Sequence, residues 1–298
     1  MQSGLWWQNR KGNMRSMRRY RFAGLFMLLT CAAAHAAPQR VISADLCSDE
    51  YVFRLVPREH IVALSWLAGD RSPVVSTIAD RVSGIALIRP SAEEVLTRFP
   101  DLVVLSEGTN PRLRSHLERE HIPFIEIPSA GSFAQVREVT RKLGMELGAP
   151  GRAAAMLAEM DRTLAVARAH AVSAPVPTLI YEPNGYATSG TFADEIMAAA
   201  GLSDGAPGMN LTRSGTIPIE AVIAAAPRLL ILNRTNGPSH SQADLVLQHP
   251  AFAALAGKTS VVSLTLTPLL CPGPWSVQVV PALADIGKSA LARRATQP

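Results

Sequence analysis

The chain has few of the motifs that carry chemistry. It has no GxSxG turn, no HExxH pair, no GxxxxGK[ST] loop and no GxGxxG turn after an apolar run. The common serine-nucleophile, zinc-protease, nucleotide-triphosphate and dinucleotide sites therefore lack their usual residues. The histidines at 60, 116, 121, 170, 240 and 249 are spread along polar segments and none is paired at ligand spacing, so a zinc site built by the protein is not expected. Thr188–Phe192, TSGTF, places a serine in a glycine turn without a fixed histidine partner. It reads as a helix-capping turn and not as a nucleophile. No catalytic residue is assigned.

Net basic charge is also missing from most of the chain. The formal charge of +5 arises in residues 1–36, which hold Arg10, Lys11, Arg15, Arg18, Arg19 and Arg21 and no acid. Taking those six from the 29 basic residues leaves 23 against 24 acidic ones, and a nucleic-acid partner is not expected. RSMRRYR, then FAGLFMLLTCAAA, then AHA forms a charged region, an apolar run too short to span a bilayer, and a small-x-small cleavage site. Residues 1–36 are thus expected to be a signal peptide and the mature chain to be periplasmic. LLTC at Leu28–Cys31 fits a lipoprotein box less well than AHA fits a cleavage site, because Thr30 stands where a smaller residue is usual.

Cleavage after Ala36 leaves two cysteines, Cys47 and Cys271, in an oxidising compartment. Both precede expected helices and both fall in loops, so two readings stay open. One is a disulfide. The other is a pair of working thiols, which would make the protein a periplasmic enzyme or redox protein.

What the sequence does contain is a repeat. AEEVLTRFPDLVVL (Ala92–Leu105) returns as IEAVIAAAPRLLIL (Ile219–Leu232) at an offset of 127 positions. The offset lays Glu93 on Glu220, Val95 on Val222, Pro100 on Pro227, and Leu102–Leu105 on Leu229–Leu232. Each copy reads as the end of an amphipathic helix, a proline that stops it, and an apolar run suited to a strand buried on both faces. With 298 residues and 48% hydrophobic content, two α/β lobes of ordinary size fit.

Strand-like and helix-like segments alternate along the mature chain. RVISA, IVALS, DLVVLS and PFIEIP, each followed by loop or helix, form a first series over residues 37–150. Gly151–Val172, rich in Ala, Leu, Met and Arg, is the longest expected helix and joins the halves over residues 151–174. A second series over residues 175–298 runs through TLIYE, FADEIMAAAG, the second repeat copy, a helix at LVLQHPAFAALAG, the strand SVVSLTL and a last helix from about Ser276. The expected class is α/β, with mainly parallel sheets in two Rossmann-like lobes joined by one long helix.

Ligands of open parallel sheets bind beyond the carboxyl ends of the strands. That rule selects Cys47, Trp66, Asp70, Gly108, Asn110, Asn184, Tyr186, Cys271 and Trp275 as candidate ligand-binding residues. Trp66 and Trp275 are the aromatic residues expected to meet a large ligand. Arg71, Arg112, Arg213 and Arg234 at most flank these loops, which favours a largely neutral ligand.

RVISADLCSDEYVFRLVPREHIVALS, EEVLTRFPDLVVLSEG, YATSGTFADEIMAAAG and LLCPGPWSVQVVPALADI together resemble the periplasmic binding proteins of ABC importers for vitamin B12 and ferric siderophores. The resemblance covers Arg40–Gly287 and rests on the order and spacing of these segments. It implies the class III architecture, a monomer without a cofactor of its own, and a metal chelate, corrinoid or ferric siderophore, bound between the lobes with little hinge closure. It also implies that Glu93 and Glu220 pair with arginines of the ABC transporter permease dimer, and that the protein is not an enzyme.

Overall fold

The computed structural model describes residues 37–71, 75–169, 174–234 and 242–295. The expected signal peptide, residues 1–36, lies outside them, as do His170, His240 and the stretch 235–241 that follows the second repeat copy.

Short apolar runs separated by helices build the first lobe. β1 (Val41–Ser43), β2 (Ile61–Ser65), β3 (Leu87–Ile88), β4 (Leu102–Ser106) and β5 (Phe124–Ile127) form a wholly parallel sheet in the order β3-β2-β1-β4-β5. Val103, Val104 and Leu105 are fully buried, as a strand covered on both faces requires. The helices α1 (Leu46–Leu55), α2 (Ala92–Leu96), α3 (Pro111–Arg119) and α4 (Phe133–Glu146) connect these strands and close the lobe.

α5 (Pro150–Ala169) follows and joins the two cores. Ala153 packs in the core of the first lobe, while Met160, Leu164 and Ala167 pack in that of the second. One rigid helix of 20 residues, and not a loose linker, thus sets the distance between the lobes.

The second lobe contains β6 (Val176–Glu182), β7 (Tyr186–Ala187), β8 (Leu202–Asp204), β9 (Gly215–Thr216), β10 (Leu229–Asn233) and β11 (Ser260–Leu264). β11, β10, β6 and β8 are parallel neighbours, and β7 and β9 add antiparallel pairs beside β6. α6 (Phe192–Ala199), α7 (Ile219–Ala225), α8 (Thr267–Leu270) and α9 (Val280–Ala295) cover it. The order β11-β10-β6-β8 reproduces β5-β4-β1-β2, so the repeat in sequence is a repeat in topology. Val95 and Val222, matched by the 127-residue offset, are both fully buried beneath their helices.

One expected element differs. LVLQHPAFAALAG forms two 3-10 segments, Gln242–Gln248 and Pro250–Leu255, and not a single helix. Pro250 has no amide hydrogen to continue a helical ladder, so the chain restarts there. The last helix is likewise preceded by a separate 3-10 turn at Pro274–Val279.

Candidate ligand-binding cleft

In each sheet the strand order reverses beside the first strand of the lobe, between β1 and β4 and between β6 and β10. A crevice opens at the carboxyl ends of strands at such a switch point. An acid stands at each one and ties the two strand ends together. Asp45 caps α1 through the amides of Cys47 and Ser48, both at 3.0 Å, and accepts from Ser106 Oγ at 2.6 Å beyond β4. Ser48 Oγ in turn accepts from the Asp45 amide at 3.1 Å and completes a capping box. In the second lobe Glu182 accepts from Asn233 Nδ2 at 3.3 Å and from Thr188 Oγ1 at 3.1 Å, while Asn233 Oδ1 accepts from the Leu266 amide at 2.9 Å. Ser106 and Asn233 occupy matching positions of the repeat.

A cavity of about 490 Å³ lies at the second switch point. Glu182, Tyr186, Thr188, Ser214 and Asn233 supply its polar wall, and Ile180, Phe192, Leu266, Leu269 and Leu270 its apolar one. The first lobe contributes Ser129, Ala130 and Gly131, the residues that follow β5. Glu182 is the one charged side chain among the described lining residues. The wall can therefore accept hydrogen bonds, offer hydroxyl and amide donors, and pack against a flat apolar body.

Of the residues selected from sequence, Tyr186 lines this cavity, half exposed. Trp66 stands at the end of β2 in the first lobe, 41% exposed, with the Arg89 guanidinium 4.6 Å from its ring centre. Asp70 ends the short 3-10 turn after Trp66, and Gly108 forms an exposed left-handed turn after β4. Asn110 caps α3 and donates to the Pro90 carbonyl at 2.6 Å. These four occupy the strand-end rim of the first lobe but do not line the cavity. Asn184 is exposed, with φ 59°, and also lies off the lining.

Trp275 requires a correction. It was expected in the cleft, but it is 4% exposed and packs in the core of the first lobe. Its ring meets Tyr51 edge-on at 4.8 Å and lies 4.4 Å from the Arg54 guanidinium. A Cβ on Gly273 would lie 2.3 Å from the indole, so glycine is required for the chain to turn inward there. Burying an indole gains more than leaving it at a cleft edge.

Cys47 and Cys271 are joined in a disulfide across 224 positions, with Cα atoms 5.1 Å apart. Neither sulfur is a free thiol. The bond links α1 of the first lobe to the segment after α8 of the second. Two further ties cross between the lobes. Phe133 packs edge-on against Phe192 at 5.2 Å, and the Glu195 carboxylate accepts from the Phe133 amide at the start of α4. Next to the disulfide, burial pushes the Asp49 carboxyl up to about 7, even though it accepts from the Ser65 amide and hydroxyl.

The cavity-lining residues missed in the sequence include Glu182, the stretch 129–131 and the turn 188–193. The rule applied to the other strand ends finds 129–131 as well, since only Pro128 separates it from the end of β5. The turn at Thr188–Phe192 was read for its cap alone. Thr191 does cap α6, but the same turn also forms cavity wall. Among the described residues no group of three His, Cys, Asp or Glu side chains could hold a metal ion.

Residues 54–260 match the family model described as periplasmic binding protein. Among solved structures, the periplasmic heme-binding protein of Roseiflexus sp. RS-1 in apo form is 22% identical, with TM-score 0.66 over 84% of this chain and 99% of that one. The periplasmic vitamin B12 binding protein of Vibrio cholerae is 16% identical, with TM-score 0.63 over 86% and 98%. A protein of the ABC-type Fe3+-hydroxamate transport system of Saccharomonospora viridis DSM 43017 is 20% identical, with TM-score 0.62 over 84% and 93%. No curated protein matches the chain. With two lobes of repeated topology around one cleft and a family match over residues 54–260, the chain belongs to the periplasmic binding protein family, a family of binding proteins and not of enzymes.

Proposed function

We propose that the protein captures a metal chelate, a corrinoid or a hydroxamate-type ferric siderophore, in the periplasm and delivers it to the permease dimer of an ABC importer. The observation that carries this reading is the lining of the cleft. It combines an apolar wall with neutral hydrogen-bonding groups, holds the carboxylate of Glu182, and has no arginine or lysine among its described residues. Catecholate and carboxylate chelates are anionic and would meet Glu182 without a compensating cation. A neutral chelate with amide and hydroxyl groups at its edge suits the same wall. Similar folds described as heme-binding, as vitamin B12 binding and as belonging to an Fe3+-hydroxamate transport system support the class of ligand. Export through residues 1–36 and action as a monomer complete the proposal.

The test is a fluorescence titration of residues 37–298, whose two tryptophans are Trp66 and Trp275. Cyanocobalamin, a ferric hydroxamate, a ferric catecholate and heme serve as light-absorbing probes. Saturable quenching by the corrinoid or hydroxamate, weakened when Tyr186 and Phe192 are replaced by alanine, is the expected result. Saturable quenching by the catecholate alone would overturn the ligand assignment.

A further inference from the structure

The end of the second lobe opposite the cleft holds a separate cavity of about 160 Å³. Arg228 immediately precedes β10 and Ser260 begins β11, so this cavity lies at the amino ends of strands whose carboxyl ends meet the ligand cleft. Five residues of β10 at ~3.3 Å each separate the two by about 16 Å.

Three cations line the small cavity, Arg228, Lys258 and Arg293, and no acid does so among the described residues. Arg228 is anchored at the rim, donating through Nη2 to the Ala290 carbonyl of α9 at 2.6 Å. Lys258 is exposed and has no ion-pair partner among the described residues. The hydroxyls of two lining residues, Thr259 Oγ1 and Ser260 Oγ, are buried with no hydrogen-bond partner among the described residues, and Thr259 as a whole is 9% exposed. Unpartnered buried hydroxyls are uncommon in native proteins and call for an explanation. Converging cations with hydroxyl donors in a space of this size match a tetrahedral oxyanion, whose oxygens accept from several directions.

We propose that this cavity binds a phosphate group, held by Lys258 and Arg293 beside the Thr259 and Ser260 hydroxyls, with Arg228 adding charge from its anchored position. The tripeptide Gly257-Lys258-Thr259 occurs in nucleotide-binding loops, but there the chain runs from strand to loop to helix. Here it enters a strand, and the amides of Lys258 and Thr259 both donate to the Leu255 carbonyl. Side chains must therefore make the contacts, and the cavity is too small for a nucleoside. A free phosphate ion and a phospholipid headgroup present the same chemistry.

The experiment compares the mature chain with K258Q/R293Q, leaving Arg228 in place because it supports α9. Thermal unfolding is followed in sodium phosphate and in sodium chloride of equal ionic strength, and co-sedimentation with phosphatidylglycerol vesicles and with phosphatidylcholine vesicles. Unfolding in chloride checks that the variant folds. The expected result is stabilisation by phosphate beyond that by chloride, or selective retention on phosphatidylglycerol, weakened by about tenfold or more in the variant. The first outcome identifies a free ion and the second a headgroup. Equal responses to phosphate and chloride with no vesicle preference, or responses unchanged in the variant, overturn the proposal. Chelate titration of the same samples reads the cleft independently.

Discussion

Phe99 and Ala226, matched by the 127-residue repeat, share a left-handed backbone with φ of 48° and 42°, each immediately before a proline. A proline disfavours the right-handed helical region for the residue before it, so neither helix can run on to its proline: α7 ends at its cap, Ala226 itself, while α2 ends at Leu96 and a short turn leads to Phe99. The left-handed step turns the chain directly into the central strand, β4 or β10. Neither residue is a glycine, so both copies of this turn carry strain that a Cβ imposes.

That strain makes a prediction for Ala226, the left-handed cap of α7. Ala226→Gly is expected to be neutral or to stabilise by up to about 1 kcal/mol, because relief of the Cβ clash opposes the added freedom of the unfolded chain. Ala226→Val is expected to destabilise by about 1–2 kcal/mol or more. Urea unfolding of both variants checks the ordering, and a glycine variant less stable than the valine one would refute it.

Glu93 and Glu220 occupy the second position of α2 and α7 and are both exposed. We propose that they dock the permease, one from each lobe. Glu93→Ala and Glu220→Ala are each expected to weaken permease association by about tenfold, with stronger salt dependence in the wild type than in the double variant. Ligand affinity should stay unchanged. Normal uptake by the double variant would remove the docking assignment.

The disulfide closes a loop of more than 200 residues between the lobes. Cys271→Ser or chemical reduction is expected to lower stability by about 2–5 kcal/mol, mainly by releasing the unfolded chain. Denaturant melts with and without reductant measure this. Trp275 should keep its buried emission in the reduced native protein, because Tyr51 and Arg54 still hold it. A red shift on reduction would show that the bond itself seats the indole.

Asp49 sets a pH dependence. Burial raises its carboxyl from 3.8 to about 7, so the folded state holds a proton that the unfolded state releases. Its contribution to stability is fully present below about 4 and is lost as pH rises through about 7, a change of up to ~4 kcal/mol. Asp49→Asn should flatten that part of the profile. Unfolding free energies of both proteins from pH 4 to pH 8 test the sign, and parallel curves would refute it.

Much of the fold was legible because its signals are local. The apolar runs Leu102–Ser106 and Leu229–Asn233 are long enough to read as strands, and the prolines at 100 and 227 mark their entry. β3, β7 and β9 are two residues each, too short for any periodicity, and they exist only because a neighbouring strand offers hydrogen bonds. Tyr186 was found by its place after a strand. Glu182 was passed over because it sits inside the strand it ends.

The amino-acid sequence by itself determined the alternation of strand and helix, the repeat and the pair of cysteines, since each depends on neighbours along the chain or on counting. Tertiary structure alone decided that Trp275 belongs to the core and not to the cleft. Its partners Tyr51 and Arg54 lie more than 200 positions away, and the indole becomes buried only when the chain returns to the first lobe. It also decided that the second lobe supplies most of the cavity wall, because side chains from distant strand ends converge only after both sheets have formed.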